Sequence, residues 1–519
     1  MGGSIRFRVS RVYSRSTPIG FSTCAVPVLL TVGKECDGMK RSAILSAVLL
    51  LLLCGVASGQ SNSGLVSASL QKSLESASPD ATHVVWVYFR DKGDAEERLA
   101  QGRDKLSSRA LGRRSRRGGV LPLVGFEDIP PLPDYVEAVR LRVERVRHVS
   151  RWLNAMSVEA DGSQIAEIAG LSFVRRLDVV RRYRRGRMEP SVPTLRSTSP
   201  SEKSSHLAID YGSSFGQLEQ INVPAVHDRG LHGEGVVIAV FDSGFKNLRH
   251  EAFSHLDILA RWDFVNGDGS VANSRDRGDG SHGSMVLSVL GGYAEGELVG
   301  PAFAATFLLA KTEDTESETP VEEDNWAAAA EWAEAGGADV ISSSLGYLGF
   351  DSPFAGYSFQ DMDGDTAVTT IAAQMAAERG VVVLVSAGNA GFHPEHNTLG
   401  APADGKLVLS IGAVDSFGLR ADFSSVGRTA DGRIKPDVMA QGVLVKAVDP
   451  ATRDQYLLAD GTSFSCPLAA GVAALVLQAH ADWSVARVRS AMRSTAERMV
   501  RPNRLMGWGI INALKAVGP

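Results

Sequence analysis

Cysteine is scarce and poorly placed: of four in 519 residues, Cys24, Cys36 and Cys54 crowd the first 54 positions and Cys466 stands alone in the rest. Beyond residue 60 a disulfide framework is therefore excluded, and stability must come from a hydrophobic core, which a chain this long can build. No Cys/His spacing suits zinc, no glycine-rich phosphate loop follows a strand, and no apolar run after residue 60 reads as a membrane span. Negative charge is what the amino-terminal part lacks. Residues 1–190 carry about +11 against −5 for the whole chain, so the remainder carries about −16. Arg113-Arg114-Ser115-Arg116-Arg117 and Arg181-Arg182-Tyr183-Arg184-Arg185 could bind polyanions, but without a series of interleaved aromatics they do not read as a nucleic-acid surface. A basic half facing an acidic half points instead to an internal partner.

Chemistry concentrates in four places. Asp460-Gly461-Thr462-Ser463-Phe464-Ser465-Cys466-Pro467 runs into a helix of small residues, which places Ser463 on a glycine-containing turn at the positive end of a helix dipole. Serine needs a histidine base and an orienting carboxylate to act as a nucleophile. Residues 236–241 form a continuous apolar run, the pattern of a parallel strand buried on both faces, and it ends in Asp242-Ser243-Gly244. Gly280-Ser281-His282-Gly283-Ser284 reads as a loop entering a helix, with Ser281 as a possible cap and His282 in the first turn. A third buried strand, 381–386, delivers Ala387-Gly388-Asn389-Ala390-Gly391, whose side-chain amide can donate to an oxyanion. Each residue alone has a plainer reading as a turn or cap; the joint pattern does not.

In this order the four motifs resemble those of the subtilisin-type serine endopeptidases, over roughly residues 214–516. The resemblance implies an α/β fold, a mostly parallel sheet with helices on both faces, and hydrolysis of internal peptide bonds of proteins through an acyl-enzyme, with no cofactor required. It implies Asp242, His282 and Ser463 as catalytic residues, and Asn389 with the Ser463 N–H as oxyanion hole. Ser344-Leu345-Gly346 would pair with an extended substrate backbone by strand addition. Ser284, where the family usually has Thr, and Ser463-Phe464-Ser465-Cys466-Pro467 depart from the commonest motifs. Together with Thr312-Glu313-Asp314, Val321-Glu322-Glu323-Asp324-Asn325-Trp326 and Asp361-Met362-Asp363-Gly364, they resemble a secreted bacterial branch. Two competing readings, a catalytically dead fold used for binding and an esterase, meet the presence of all four site residues and of the peptide-pairing segment.

Upstream, residues 81–187 read as a small α/β module: a strand at 84–89, a helix at 133–149, strands at 152–159 and 174–180, and a short helix ending at Gly170. This resembles the inhibitory propeptide of subtilisins, so the chain's partners are expected to be protein substrates and its own propeptide. Residues 188–206, rich in Ser, Pro and Thr, read as the linker where processing occurs, and residues 207–519 as the peptidase domain. Binding of the separated module is expected to weaken with salt, as exposed charges do. Residues 39–59, Met39-Lys40-Arg41 followed by an apolar core and Ala57-Ser58-Gly59, read as a signal peptide for secreted or periplasmic location, with 60–80 a linker and 1–38 an upstream extension that need not be translated. Cys54 follows Leu53 rather than the small residue a lipidation site requires. The ending near Pro519 suggests no appended domain.

Three smaller expectations complete the reading. Cys466 is a buried packing residue. Asp361, Asp363 and Asp365, at alternate positions, could ligate a structural calcium, but the spacing is not that of an EF-hand, and Asp365 or Thr366 is expected to cap a helix at 367–378. His250, His255, His393 and His396 lie in polar stretches and are expected to be solvated.

Overall fold

The computed structural model describes residues 64–78, 80–117, 121–180, 208–272, 280–314, 323–348 and 356–518, with the backbone of 192–194. The segments 1–38 and 39–59, the arginines at 181–185 and most of 188–206 lie outside them.

A seven-stranded parallel sheet organises the larger domain, in the order Val438–Gln441, Leu409–Val414, Val382–Ser386, Val340–Ser343, Val237–Asp242, Thr306–Lys311, Asp257–Asp263. Val237–Asp242 is buried at every position because both edges are paired and helices cover both faces, so its apolar run has no polar side to alternate with. Its last residue, Asp242, registers with Lys311 on one side, while Phe241 registers with Ser343 on the other. The carboxyl ends of these strands therefore share one rim, where open parallel sheets carry their sites. The helix Thr462–Ala479 lies against this sheet and against the helix Ser281–Gly291. Among the described residues it is the one helix apolar and long enough by composition to cross a membrane, contrary to the expectation beyond residue 60, yet it is buried as the core helix of the domain.

The smaller module is a four-stranded antiparallel sheet in the order Arg145–Ser150, Ala155–Ala160, His83–Phe89, Val174–Val179. Alternation in His83–Phe89 divides its side chains: Val85, Val87 and Phe89 enter the module's own core with Leu70, Met156 and Ile165. Val84 and Trp86 face the other way, in a cluster with Ala155 and Val180 that Val368 of the larger domain packs against. Both faces of the strand are thus covered, which accounts for its apolar run from Val84 to Val87.

Several expectations are corrected here. The helix read at 133–149 stops at Arg140, and Arg145–Ser150 is a strand. Val136, Val139, Val143 and Val146 have helical spacing, but pairing with Ala155–Ala160, turned by Asn154 at φ +48°, prevails. The strand read at 152–159 begins only at Ala155, after that turn. Within the segment read as linker, Val192–Thr194 runs antiparallel to Tyr456–Ala459. The arginine-rich piece belongs to a helix, Ser108–Arg117, in which Arg113, Arg114 and Arg117 are buried against the larger domain. It is no polyanion-binding surface.

Candidate active site

Strand Val237–Asp242 brings the Asp242 carboxylate to the sheet rim with no exposed surface. His282 Nδ1 donates to Asp242 Oδ1 at 2.7 Å, and because a carboxylate only accepts, Nδ1 is the protonated nitrogen. Ser243 N–H, at 2.8 Å, bonds the same oxygen. Gly283 makes this approach possible: a methyl group there would lie 2.2 Å from the Gly244 carbonyl oxygen and 2.9 Å from Asp242 Cβ. Ser284 donates to the Lys246 carbonyl and so ties the helix to the loop after Asp242. Gly280, at φ +64°, occupies the N-cap, and Ser281 is the first residue of the helix rather than its cap.

Ser463 sits in the first turn of Thr462–Ala479, beside Phe464, whose ring lies 5.8 Å from the His282 ring. Its hydroxyl donates to the Ser344 carbonyl at 3.2 Å. In an unbroken helix the Ser463 carbonyl would accept from the N–H of residue 467, but Pro467 has none. The Ser344 hydroxyl supplies the missing bond at 2.8 Å.

The Asn389 amide is oriented by Thr462. Its Oδ1 accepts the Thr462 N–H at 3.0 Å and the Thr462 hydroxyl at 2.8 Å, which directs Nδ2 the other way. A methyl group at Gly461 (φ +144°) would stand 3.4 Å from Asn389 Nδ2 and 3.6 Å from the Ser463 nitrogen. Both donors therefore border one small space beside the nucleophile, an arrangement suited to a developing oxyanion. Leu345, within the Ser344–Gly346 segment, is buried, and Tyr347 exchanges two backbone bonds of 2.8 Å with Ala401. Thr462 and Pro467 stand in the motif at 460–467 but had no role assigned from sequence, although the missing N–H of Pro467 was a signal available there.

The chain is similar to known proteins. Residues 233–509 match the family model described as the subtilase family. The chain belongs to that family. It is a serine-type endopeptidase. It is 33% identical over 318 residues to Subtilisin NAT of Bacillus subtilis subsp. natto, spanning 60% of this chain and 73% of that protein, and 32% identical over 314 residues to the subtilisin of Bacillus pumilus, spanning 98% of it. Residues 84–193 match the peptidase S8 propeptide domain of Bacteroidota. In fold the peptidase and its prodomain resemble fervidolysin from Fervidobacterium pennivorans, a keratinolytic enzyme, with a TM-score of 0.58 at 20% identity over 85% of this chain. The chain spans only 61% of fervidolysin, whose substrate remains a statement about that enzyme.

Other expected site residues separate. Asp361 accepts from Ser358, Asp363 from the Asp365 and Thr366 N–H groups and the Thr366 hydroxyl, and Asp365 pairs with Lys406. Among the described residues no group of three or more His, Cys, Asp or Glu is arranged to hold a metal ion. The expected cap is also corrected: the helix begins at Val368 with Ala367 before it, and Asp363 closes a turn upstream. His250 is buried rather than solvated, bonded to the Gln455 carbonyl at 2.9 Å and the Ala252 N–H at 3.2 Å, because its ring packs edge-on against Tyr456 and Phe253. His255 is exposed, as expected, with a ring nitrogen 3.0 Å from the Gly291 carbonyl, and His393 and His396, both half-buried, stack at 3.5 Å between centroids. Cys466 is buried against Ser342 and Ser343, and burial pushes its thiol up to about 12.

Proposed function

We propose that the protein is a secreted serine endopeptidase made as a self-processing zymogen, in which Asp242, His282 and Ser463 form and resolve an acyl-enzyme. The observation that carries the reading is the His282–Asp242 bond at the sheet rim, with the ring of Phe464, next to Ser463, 5.8 Å from His282 and the Asn389 and Ser463 N–H donors bordering one space. Asp242 fixes the ring so that Nε2 is the basic nitrogen and stabilises the imidazolium that forms. His282 takes the Ser463 hydroxyl proton as Oγ bonds to the substrate carbonyl carbon. The displaced electron pair rests on the carbonyl oxygen, held by Asn389 Nδ2 and the Ser463 N–H. Collapse breaks the C–N bond, and His282 returns the proton to the leaving amine. Water then repeats the sequence on the ester, releasing Ser463. Ser344-Leu345-Gly346 pairs with the substrate backbone.

Residues 39–59 direct export, and the prodomain silences the peptidase until the 188–206 segment is cut and the prodomain then leaves. Support for silencing comes from the contacts between prodomain and peptidase. Asp324 accepts from Ser157 at 2.6 Å and Arg147 at 2.8 Å, and Glu331 accepts the Arg151 and Trp152 N–H groups at 3.1 and 3.3 Å. Purified full-length precursor should cleave a peptide substrate slowly, with activity rising once the segment at 188–206 is cut and the prodomain dissociates. Full activity in uncut precursor would contradict the zymogen reading.

A further inference from the structure

The arginine helix Ser108–Arg117 docks on the peptidase at a place that catalysis does not use. Asp339 immediately precedes Val340–Ser343, and its Oδ2 accepts the Val237 N–H at 3.0 Å. It therefore stands at the amino-terminal end of the strand whose last residue is Asp242, about 17 Å away along six extended residues. Arg117 donates to Asp339 Oδ1 at 2.9 Å and to the Ala481 carbonyl at 2.7 Å. Arg109 bonds Asp339 and the carbonyls of Gly337 at 3.1 Å and Gly235 at 2.5 Å.

Deeper in the interface, Arg113 pairs with Glu334 and takes the carbonyls of Glu334, Ala338 and Arg379 at 3.0, 2.6 and 3.2 Å. Two of these carbonyls lie at the carboxyl ends of the helices Glu323–Gly336 and Val368–Glu378, and the Glu334 carbonyl also accepts the Gly337 N–H at 3.1 Å. Arg114 spans both oxygens of Glu334, at 2.8 and 2.7 Å, and both of Asp128. Among the described residues, every ion pair made by Glu334 and Asp339 is to a prodomain arginine. Among the described residues the peptidase thus buries two carboxylates and forms no ion pair of its own with either.

We propose that this amino-terminal edge of the peptidase sheet is a second docking site, built for an arginine-rich helix and separate from the substrate cleft, which keeps the prodomain attached after the chain is cut. The proposal rests on the zymogen reading for the cleavage event, but not for the contact. Its ligand is a helix with arginines at positions i, i+4, i+5 and i+8, here 109, 113, 114 and 117, supplied by the chain itself. Cutting at 188–206 removes the tether and its effective concentration but none of these bonds. Desolvated, hydrogen-bonded charge pairs act chiefly on the dissociation rate.

The test uses the full chain carrying Ser463→Ala, with a recognition sequence for a foreign protease placed within 188–206. After cutting, the two pieces should co-elute on size exclusion. Arg109→Ala/Arg117→Ala should release the prodomain on the order of a hundredfold faster, and Arg117→Lys, which keeps the charge but loses the fork, should fall between. Arg140→Ala, in an exposed pair with Glu137, should dissociate like the parent. Should the double variant fail to fold, Arg117→Lys carries the comparison. Equal dissociation rates for the parent and the arginine variants would overturn the proposal. Retention is read by elution, so a precursor that proves active before cutting speaks against inhibition and leaves the docking result readable.

Discussion

Ser344 and Ser463 hold each other through two hydrogen bonds, Ser463 Oγ to the Ser344 carbonyl at 3.2 Å and Ser344 Oγ to the Ser463 carbonyl at 2.8 Å. The second exists because Pro467 withdraws the helical donor that the Ser463 carbonyl would otherwise have. Ser344→Ala leaves that carbonyl buried without its side-chain partner, at a cost of about 1–3 kcal/mol. Turnover of a peptide substrate should fall by roughly tenfold, and Ser344→Thr, which keeps a hydroxyl, should recover most of it. An unchanged rate in Ser344→Ala would show that the pair does not position the nucleophile.

Thr462 acts through Asn389. Losing one oxyanion donor costs about two to three orders of magnitude in turnover, the result expected of Asn389→Ala. Thr462→Val removes the hydroxyl bond to Asn389 Oδ1 and keeps the backbone one, so kcat should fall by roughly tenfold with KM nearly constant. A loss confined to KM would place Thr462 in substrate binding instead.

What the sequence disclosed follows from where each signal resides. Asp242, His282, Asn389 and Ser463 lie at strand ends and helix starts, which apolar runs and glycines mark locally. The strand Arg145–Ser150 was hidden because its valines have helical spacing and its partner is another segment. Helix Ser108–Arg117 was harder still, since it buries guanidinium groups rather than a hydrophobic stripe, and no pattern within it names Glu334 or Asp339. The salt expectation changes for the same reason. With Arg113, Arg114 and Arg117 buried, added salt should slow association of the prodomain and leave its dissociation rate nearly constant.

His227 makes the peptidase fold sensitive to acid. It is buried, with Nδ1 accepting from the Tyr211 hydroxyl at 2.9 Å and Nε2 donating to the Pro301 carbonyl at 3.0 Å, and burial lowers its pKa from 6.5 to about 4. Below pH 6.5 the unfolded chain takes up a proton that the folded chain withholds, so this stability is fully present above 6.5 and is lost as pH falls toward 4. The loss amounts to about 3 kcal/mol. His227→Gln should lower Tm at pH 7 but show a shallower decline between pH 6.5 and 4. A parallel decline in both proteins would assign the acid sensitivity elsewhere.

Cys466 should be chemically silent in the folded enzyme. It is the single cysteine after residue 60, fully buried, with its thiol pushed far above neutrality. A thiol reagent should label no cysteine in native processed enzyme and one after denaturation. Rapid native labelling accompanied by loss of activity would show an accessible thiol beside the nucleophile.

The roles of Asp242, His282 and Ser463 are tested most directly by peptide hydrolysis in the Ser463→Ala variant, prepared as full-length chain and compared with the parent after the same linker cut. Turnover should fall by roughly three or more orders of magnitude, with thermal unfolding little changed. In the uncut variant the 188–206 segment should also stay intact when no other protease is present. Undiminished hydrolysis by Ser463→Ala would contradict the assignment of the nucleophile, and with it the acyl-enzyme mechanism.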